Sequence, residues 1–238
     1  MARSWSVLDY VLIWLGGFLG TAIFVAAGAF SGDDDLLLLL GLAGQYLGQL
    51  GAFWLLRRVR GGPPVGFVVR SADALYVPLG LVLQIALAVV MLPVSTLLFP
   101  EGGPPQEVAD LIAQADTVQV AVGLALAGVV LAPVTEELLH RGVLLRALEK
   151  RGRRFALVVS SLVFSLIHAA GLDTDRFWQS AAVVLPPLFL IALVLAWITQ
   201  RSGRLGPAIF LHSGYNLLAV FVLLLPEEVL EQLGWISW

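Results

Sequence analysis

The sequence has no cysteine and little charge: of its 238 residues, 13% are charged and 59% hydrophobic, against about 25% charged in soluble domains. Without cysteine there is no disulfide, no thiolate nucleophile and no Cys-type metal site, which leaves the compartment open. Scarce charge combined with so much apolar sequence predicts a membrane protein. At roughly 20 residues per helical crossing, the length suits about seven spans in a single all-α membrane domain covering 1–238, a polytopic bundle with no room for a separate soluble domain. A net charge of −3 gives no reason to expect a nucleic-acid partner. No internal repeat and no low-complexity linker is visible.

Several catalytic signatures are also missing. There is no His-Glu-x-x-His zinc motif, no Gly-x-Ser-x-Gly nucleophile motif, and neither the Gly-x-Gly-Asp nor the Tyr-Asp pair of intramembrane aspartyl proteases.

What is present is a succession of apolar runs. Leu8 to Phe30 reads as span one, with Gly16 and Gly20 at the spacing of closely packed helices. The run is longer than a signal-peptide core, and cleavage after Ala27-Gly28-Ala29 is the alternative. Ser31 to Asp35 offers capping oxygens to span two, Leu36 to Leu56, which carries Gly44 and Gly48. Arg57, Arg58, Arg60 and Arg70 flank a Gly-Gly-Pro-Pro break that reads as a cytoplasmic loop. Span three follows from Leu75 to Phe99, bent at Pro93. Between 100 and 117 there is no Lys or Arg, and Val108, Leu111 and Ile112 suit either a short amphipathic surface helix or a solvated loop. The remaining spans are Val118 to Glu149, Phe155 to Ala170, Gln179 to Gln200 with Pro186-Pro187, and Pro207 to Leu225, before an acidic tail that ends in Trp238.

Alternate loops then hold all 14 basic residues except Arg176, which under the positive-inside rule predicts an N-in, C-out, multi-pass protein of the cell (cytoplasmic) membrane. Trp5, Trp54, Trp178, Trp235 and Trp238 fall near predicted span ends, as an aromatic belt would place them.

Ionisable groups inside such runs are expensive and mark functional positions. Thr135-Glu136-Glu137-Leu138-Leu139-His140-Arg141 puts four of them into span four, while Phe164 and His168 lie in span five, and His212 and Asn216 in span seven. Residues four apart share a helix face, so Glu137 is expected to pair with Arg141, Phe164 to stack over His168, and His212 and Asn216 to point the same way. At 1.5 Å per residue, Glu136 and His168 each lie about 20 Å from the 150–154 turn, level with one another. His212, five residues inside Pro207, reaches that depth only if the 201–206 loop dips inward.

A carboxylate in a dry pocket is a competent general base for water when another group holds that water. Glu136 fits that description. His168 is placed to hold the water or stabilise charge, with His212 and Asn216 as donors to an oxyanion, making a hydrolase that needs neither Ser nor Cys. His140, four residues from Glu136, suits either a ligand or a surface role, the surface role being favoured, and Gln45, Gln49 and Gln84 are read as interhelical hydrogen-bond partners.

Glu136-Glu137-x-x-x-Arg141, Phe164-x-x-x-His168 and His212-x-x-x-Asn216, in that order, resemble the three motifs of the CPBP family, the CAAX proteases and bacteriocin-processing enzymes also called Abi. They span Pro133 to Leu218, within a family-like core at about 118–225. The resemblance implies a glutamate-dependent intramembrane endopeptidase without a cofactor, acting on a prenylated CAAX-type protein or a bacteriocin-type peptide. In it Glu136 and His168 handle water, His212 and Asn216 form the oxyanion hole, and Glu137, Arg141 and Phe164 support them. The expected partners are membrane lipids and a peptide or membrane-associated protein substrate. The competing readings are a non-catalytic membrane scaffold or immunity-type protein, a transporter using Glu and His as a proton relay, and a zinc-dependent intramembrane protease.

Overall fold

The computed structural model describes residues 4–62, 64–100 and 117–224, and among these there are helices and connecting loops and no extended β-strand. In chain order the helices are α1 (Val7–Gly28), α2 (Asp34–Arg60), α3 (Tyr76–Leu98, behind a 3₁₀ turn at Ser71–Leu75), α4 (Val118–Arg151), α5 (Arg153–Ile167, continued as a 3₁₀ turn at His168–Gly171), α6 (Phe177–Ser202) and α7 (Gly206–Leu223). The first six are long and apolar enough to cross a membrane, and α7 is apolar but shorter. The protein is therefore an all-helical, multi-pass membrane protein. The proposed surface helix at Val108, Leu111 and Ile112, and the tail with Trp235 and Trp238, lie outside the described residues.

Helix starts follow local chemistry. Ser6 caps α1 in a reciprocal box with Asp9, and the Asp33 side chain accepts from Leu36 N at 3.0 Å to start α2, satisfying amide groups that have no helical partner. Gly61 closes α2 with φ 60°, a conformation that suits glycine.

Glycine also sets which helices touch. A Cβ on Gly20 would sit 2.1 Å from the carbonyl oxygen of Gly44, and one on Gly48 would sit 2.2 Å from that of Gly16. The four glycines that the sequence singled out thus bring the backbones of α1 and α2 together, and in a membrane such close approach supplies the packing attraction that hydrophobicity cannot. A second contact of this kind, not read from the sequence, joins α3 to α7: a Cβ on Gly80 would meet Leu211 O at 2.1 Å, and one on Gly214 would meet Val77 O at 2.1 Å.

At the centre runs α4, in which every residue from Glu137 to Leu145 is buried. A helix buried all round has neighbours on every face, and here Leu139, Val143 and Leu145 pack with Ile13 of α1, Ala156 of α5, Ala196 of α6 and Leu205 before α7.

The segment after α2, read as a loop, turns partly inward: Val65 is buried, and Gly66, with φ 73°, accepts from Leu205 N at 2.8 Å. This inward course, clamped by an Arg204–Asp73 ion pair of 2.5 Å in which Asp73 is fully buried, is what carries residues 205–209 into the interior. Trp5 does not join an interfacial belt, because it is buried and stacked on Phe53 at 5.5 Å, whereas Trp54 and Trp178 are exposed. Gln49 is buried beside Gly17, and Oε1 of Gln84 is buried without a hydrogen-bond partner among the described residues.

Candidate active site

Glu136 and Glu137 are neighbours on α4, about 100° apart around the helix axis, and their surroundings differ completely. Glu137 is fully buried, and its Oε1 accepts from Arg141 Nη1 at 2.9 Å and lies 3.0 Å from His212 Nδ1. The expected Glu137–Arg141 pair is present, and the same carboxylate also ties α7 to α4 through His212. The Glu136 side chain is 23% exposed, and its Oε2 lies 3.9 Å from His212 Nε2, beyond hydrogen-bond range. One carboxylate is committed, and its neighbour accepts no hydrogen bond among the described residues.

His212 therefore reaches the level of the Glu pair, because residues 205–209 enter the protein interior rather than looping outside it. With Nδ1 facing Glu137, Nε2 is the ring nitrogen turned towards Glu136.

His168 is fixed differently. At the end of α5 its backbone N–H turns to Ser165 O and Leu166 O, which frees the carbonyl of Phe164, and the ring's Nδ1 lies 2.8 Å from that oxygen. A carbonyl only accepts, so Nδ1 carries the proton and Nε2 is left as an acceptor.

Phe164 links these groups. Its buried ring lies 4.8 Å from the ring of His168, 5.8 Å from that of His212 and 5.0 Å from that of His140, and the Arg141 guanidinium sits over its face at 4.6 Å. The expected Phe164–His168 contact is thus one of four. Arg141 also donates from Nη2 to Ala192 O of α6 at 3.1 Å, so four helices meet within one network.

Asn216 is held by a defect in α4. Over Ala127–Leu131 the helix widens to π geometry, and Ala132 N–H bonds to Ala127 O, five residues back. The next bond in that series would require an N–H on residue 133, which is proline and has none. The carbonyl of Gly128 is thereby left without a backbone donor, and Asn216 Nδ2 supplies one at 2.9 Å. An amide NH₂ carries two hydrogens, so the second N–H of Asn216 remains for another acceptor. A second π stretch, Leu138–Leu144, begins directly after the Glu pair; such bulges are frequent at functional sites.

His140 overturns its surface assignment. It is fully buried, its Nδ1 lies 3.4 Å from Tyr10 Oη, and its ring meets Tyr10 and Trp14 edge-on at 5.4 and 6.4 Å. The aromatic face of α1 covers this side of α4, which distance from the basic cluster along α4 does not reveal. Tyr10 and Trp14 escaped notice for the same reason, since aromatics in an apolar run give no sign of the partner they will meet.

No curated protein and no solved structure matches the chain. Residues 118–218, from the start of α4 into α7, match the family model described as Type II CAAX prenyl endopeptidase Rce1-like. That interval contains all three motifs and agrees with the CPBP resemblance. Over this interval the chain is similar to the Rce1-like type II CAAX prenyl endopeptidases, a family of peptidases that act on membrane-associated protein or peptide substrates.

Proposed function

We propose that this membrane peptidase hydrolyses its substrate with water activated by Glu136. The observation that carries the reading is the contrast between the two acids: Glu137 is bound to Arg141 and His212, whereas Glu136 accepts no hydrogen bond among the described residues and is partly open. As the water oxygen bonds to the scissile carbonyl carbon, Glu136 takes the water's proton. His168, with Nε2 as its free acceptor, orients the water. Charge that develops on the carbonyl oxygen is received by the second N–H of Asn216 and by Nε2–H of His212 in its doubly protonated form, whose Nδ1–H is held by the Glu137 carboxylate. When the C–N bond breaks, the proton on Glu136 passes to the leaving amine.

In this scheme Glu137 is a positioning residue. It holds the His212 ring and neutralises Arg141, while Phe164 packs His168 and His212 against one surface. A prenylated CAAX-type peptide is the first substrate to test, and a bacteriocin-type peptide the second. Purified protein in proteoliposomes should cleave the peptide, and Glu136→Gln should be inactive while melting at the wild-type temperature. Wild-type turnover by Glu136→Gln would overturn the assignment.

A further inference from the structure

Away from the Glu pair, a recess of about 330 Å³ opens where α4, α5 and α6 meet at their Arg-rich ends, lined by Arg141, Arg146, Glu149, Arg153, Thr199 and Gln200. Arg141 is neutralised by Glu137. Glu149 accepts from Gln200 Nε2 at 3.3 Å. Arg146 and Arg153 each use one Nη2 on a carbonyl at the end of α6, Gly203 O at 3.3 Å and Gln200 O at 3.0 Å. A guanidinium has five N–H donors, so both cations are tethered with most of their donors unspent, leaving one more positive than negative charge in the recess.

Two polar atoms there lack a partner among the described residues. Nε of Arg146 is buried and unpaired, and so is Oγ1 of Thr199, a residue only 3% exposed. Burying such groups is costly unless something completes their hydrogen bonds, and two donors beside excess positive charge ask for an anionic oxygen acceptor.

The surroundings indicate its source. Exposed Phe155 and Trp197 flank this end of the bundle, each with an arginine over its ring, Arg151 at 5.9 Å and Arg201 at 5.7 Å. Aromatic and cationic residues together mark the headgroup level of a bilayer, where basic pockets between helices take up anionic headgroups. We infer that this recess binds the phosphate oxygens of an anionic phospholipid headgroup through Arg146, Arg153 and Thr199.

The test measures binding of dioleoylphosphatidylglycerol to the full-length protein by native mass spectrometry and by the rise in melting temperature in phosphatidylcholine nanodiscs doped with that lipid. Arg146→Gln should weaken binding by about tenfold, the loss of a charge-assisted hydrogen bond. Thr199→Val, which keeps shape and breaks no protein hydrogen bond, should weaken it about threefold to tenfold, and Arg151→Gln, outside the recess, should leave it unchanged. A parallel titration with glycerol phosphate in undoped nanodiscs separates the sources: weak, variant-sensitive binding there supports phosphate recognition with the acyl chains adding affinity. Saturation by glycerol phosphate at the affinity of the lipid would overturn the headgroup assignment. Equal lipid binding by Arg146→Gln, Thr199→Val and wild type, or none by any of them, would overturn the site and leave a recess filled by water only.

Discussion

The side-chain amide of Asn216 donates to the carbonyl of Gly128 at 2.9 Å, completing a bond that α4 cannot make for itself because Pro133 has no N–H. Asn216→Ala should therefore lower stability by about 1 kcal/mol, the cost of losing a partly buried hydrogen bond and leaving its acceptor without a protein donor. In a Pro133→Ala background a backbone N–H becomes available to Gly128, and the same substitution should cost less. A double-mutant cycle on unfolding free energy should show coupling of about 1 kcal/mol between these positions. Strict additivity would sink the account of the π stretch.

The adjacent acids should separate in function and stability. Glu136→Gln removes a carboxylate without a hydrogen bond, so its stability change should stay within about 0.5 kcal/mol while cleavage is lost. Glu137→Gln strips the buried Arg141 of its counter-charge and releases His212, which should destabilise by about 3–5 kcal/mol. Thermal unfolding and turnover measured on both variants decide this, and a stable Glu137→Gln protein would contradict it.

Much of this site was legible because polar groups in apolar helices are conspicuous. Glu136, Glu137, Arg141, His168, His212 and Asn216 stand out for that reason alone, and their spacing on a helix predicts the Glu137–Arg141 pair and the Phe164–His168 contact. The contacts that needed tertiary information were not legible. Depth along α4 alone places His140 near the surface, and nothing in an apolar run shows that Tyr10 and Trp14 of α1 cover it. The two π stretches have no periodic signal, so the reason for Asn216's orientation emerges only when Pro133 is seen against Gly128. The spans themselves, and the Gly16, Gly20, Gly44 and Gly48 contact, followed directly from hydropathy and small-residue spacing.

That glycine contact gives a packing prediction with an internal control. Gly20→Ala places a methyl against the Gly44 carbonyl, which backbone cannot accommodate without shifting α1 from α2, at a cost of about 1–3 kcal/mol. Gly51, on the same helix as Gly44, has nothing within 4 Å of an added Cβ, and Gly51→Ala should be neutral or stabilising. Melting temperatures of the two variants in one detergent test it; equal shifts would show that the contact is not as close as described.

A seven-span reading would put the two ends of the chain on opposite sides of the membrane, and the arginine distribution predicts that the N-terminus and the 141–154 region face the cytosol. Arg176, the one basic residue outside the pattern, donates to Leu98 O at 2.6 Å and lies 4.4 Å over the Phe99 ring, so it has a structural task at the end of α3. A fluorescent protein that folds only in the cytosol should glow when fused to the N-terminus and stay dark at the C-terminus. Bright C-terminal fusions would reverse the proposed topology.

The final prediction separates a glutamate-and-water enzyme from a zinc enzyme by asking what stabilises the oxyanion. Zinc would do so as a Lewis acid, held by three protein ligands, for which His168, His212 and Glu136 are the candidates the sequence offers, although among the described residues no three of His, Asp and Glu are grouped as a metal site. Nδ1 of His212 faces Glu137 and Nδ1 of His168 faces Phe164 O, an arrangement that would also suit two metal-bound imidazoles, so ring orientation alone does not discriminate. Asn216 does. An amide is a poor zinc ligand, and with zinc present its loss should cost only the stability argued above. In the metal-free mechanism Asn216 is one of two oxyanion donors, and Asn216→Ala should slow the chemical step by roughly 10²- to 10³-fold. Single-turnover cleavage should then be insensitive to exhaustive chelation and severely impaired in the Asn216→Ala variant. Activity lost on chelation and restored by zinc, with Asn216→Ala turning over at the wild-type rate, would replace Glu136 as general base with Glu136 as metal ligand.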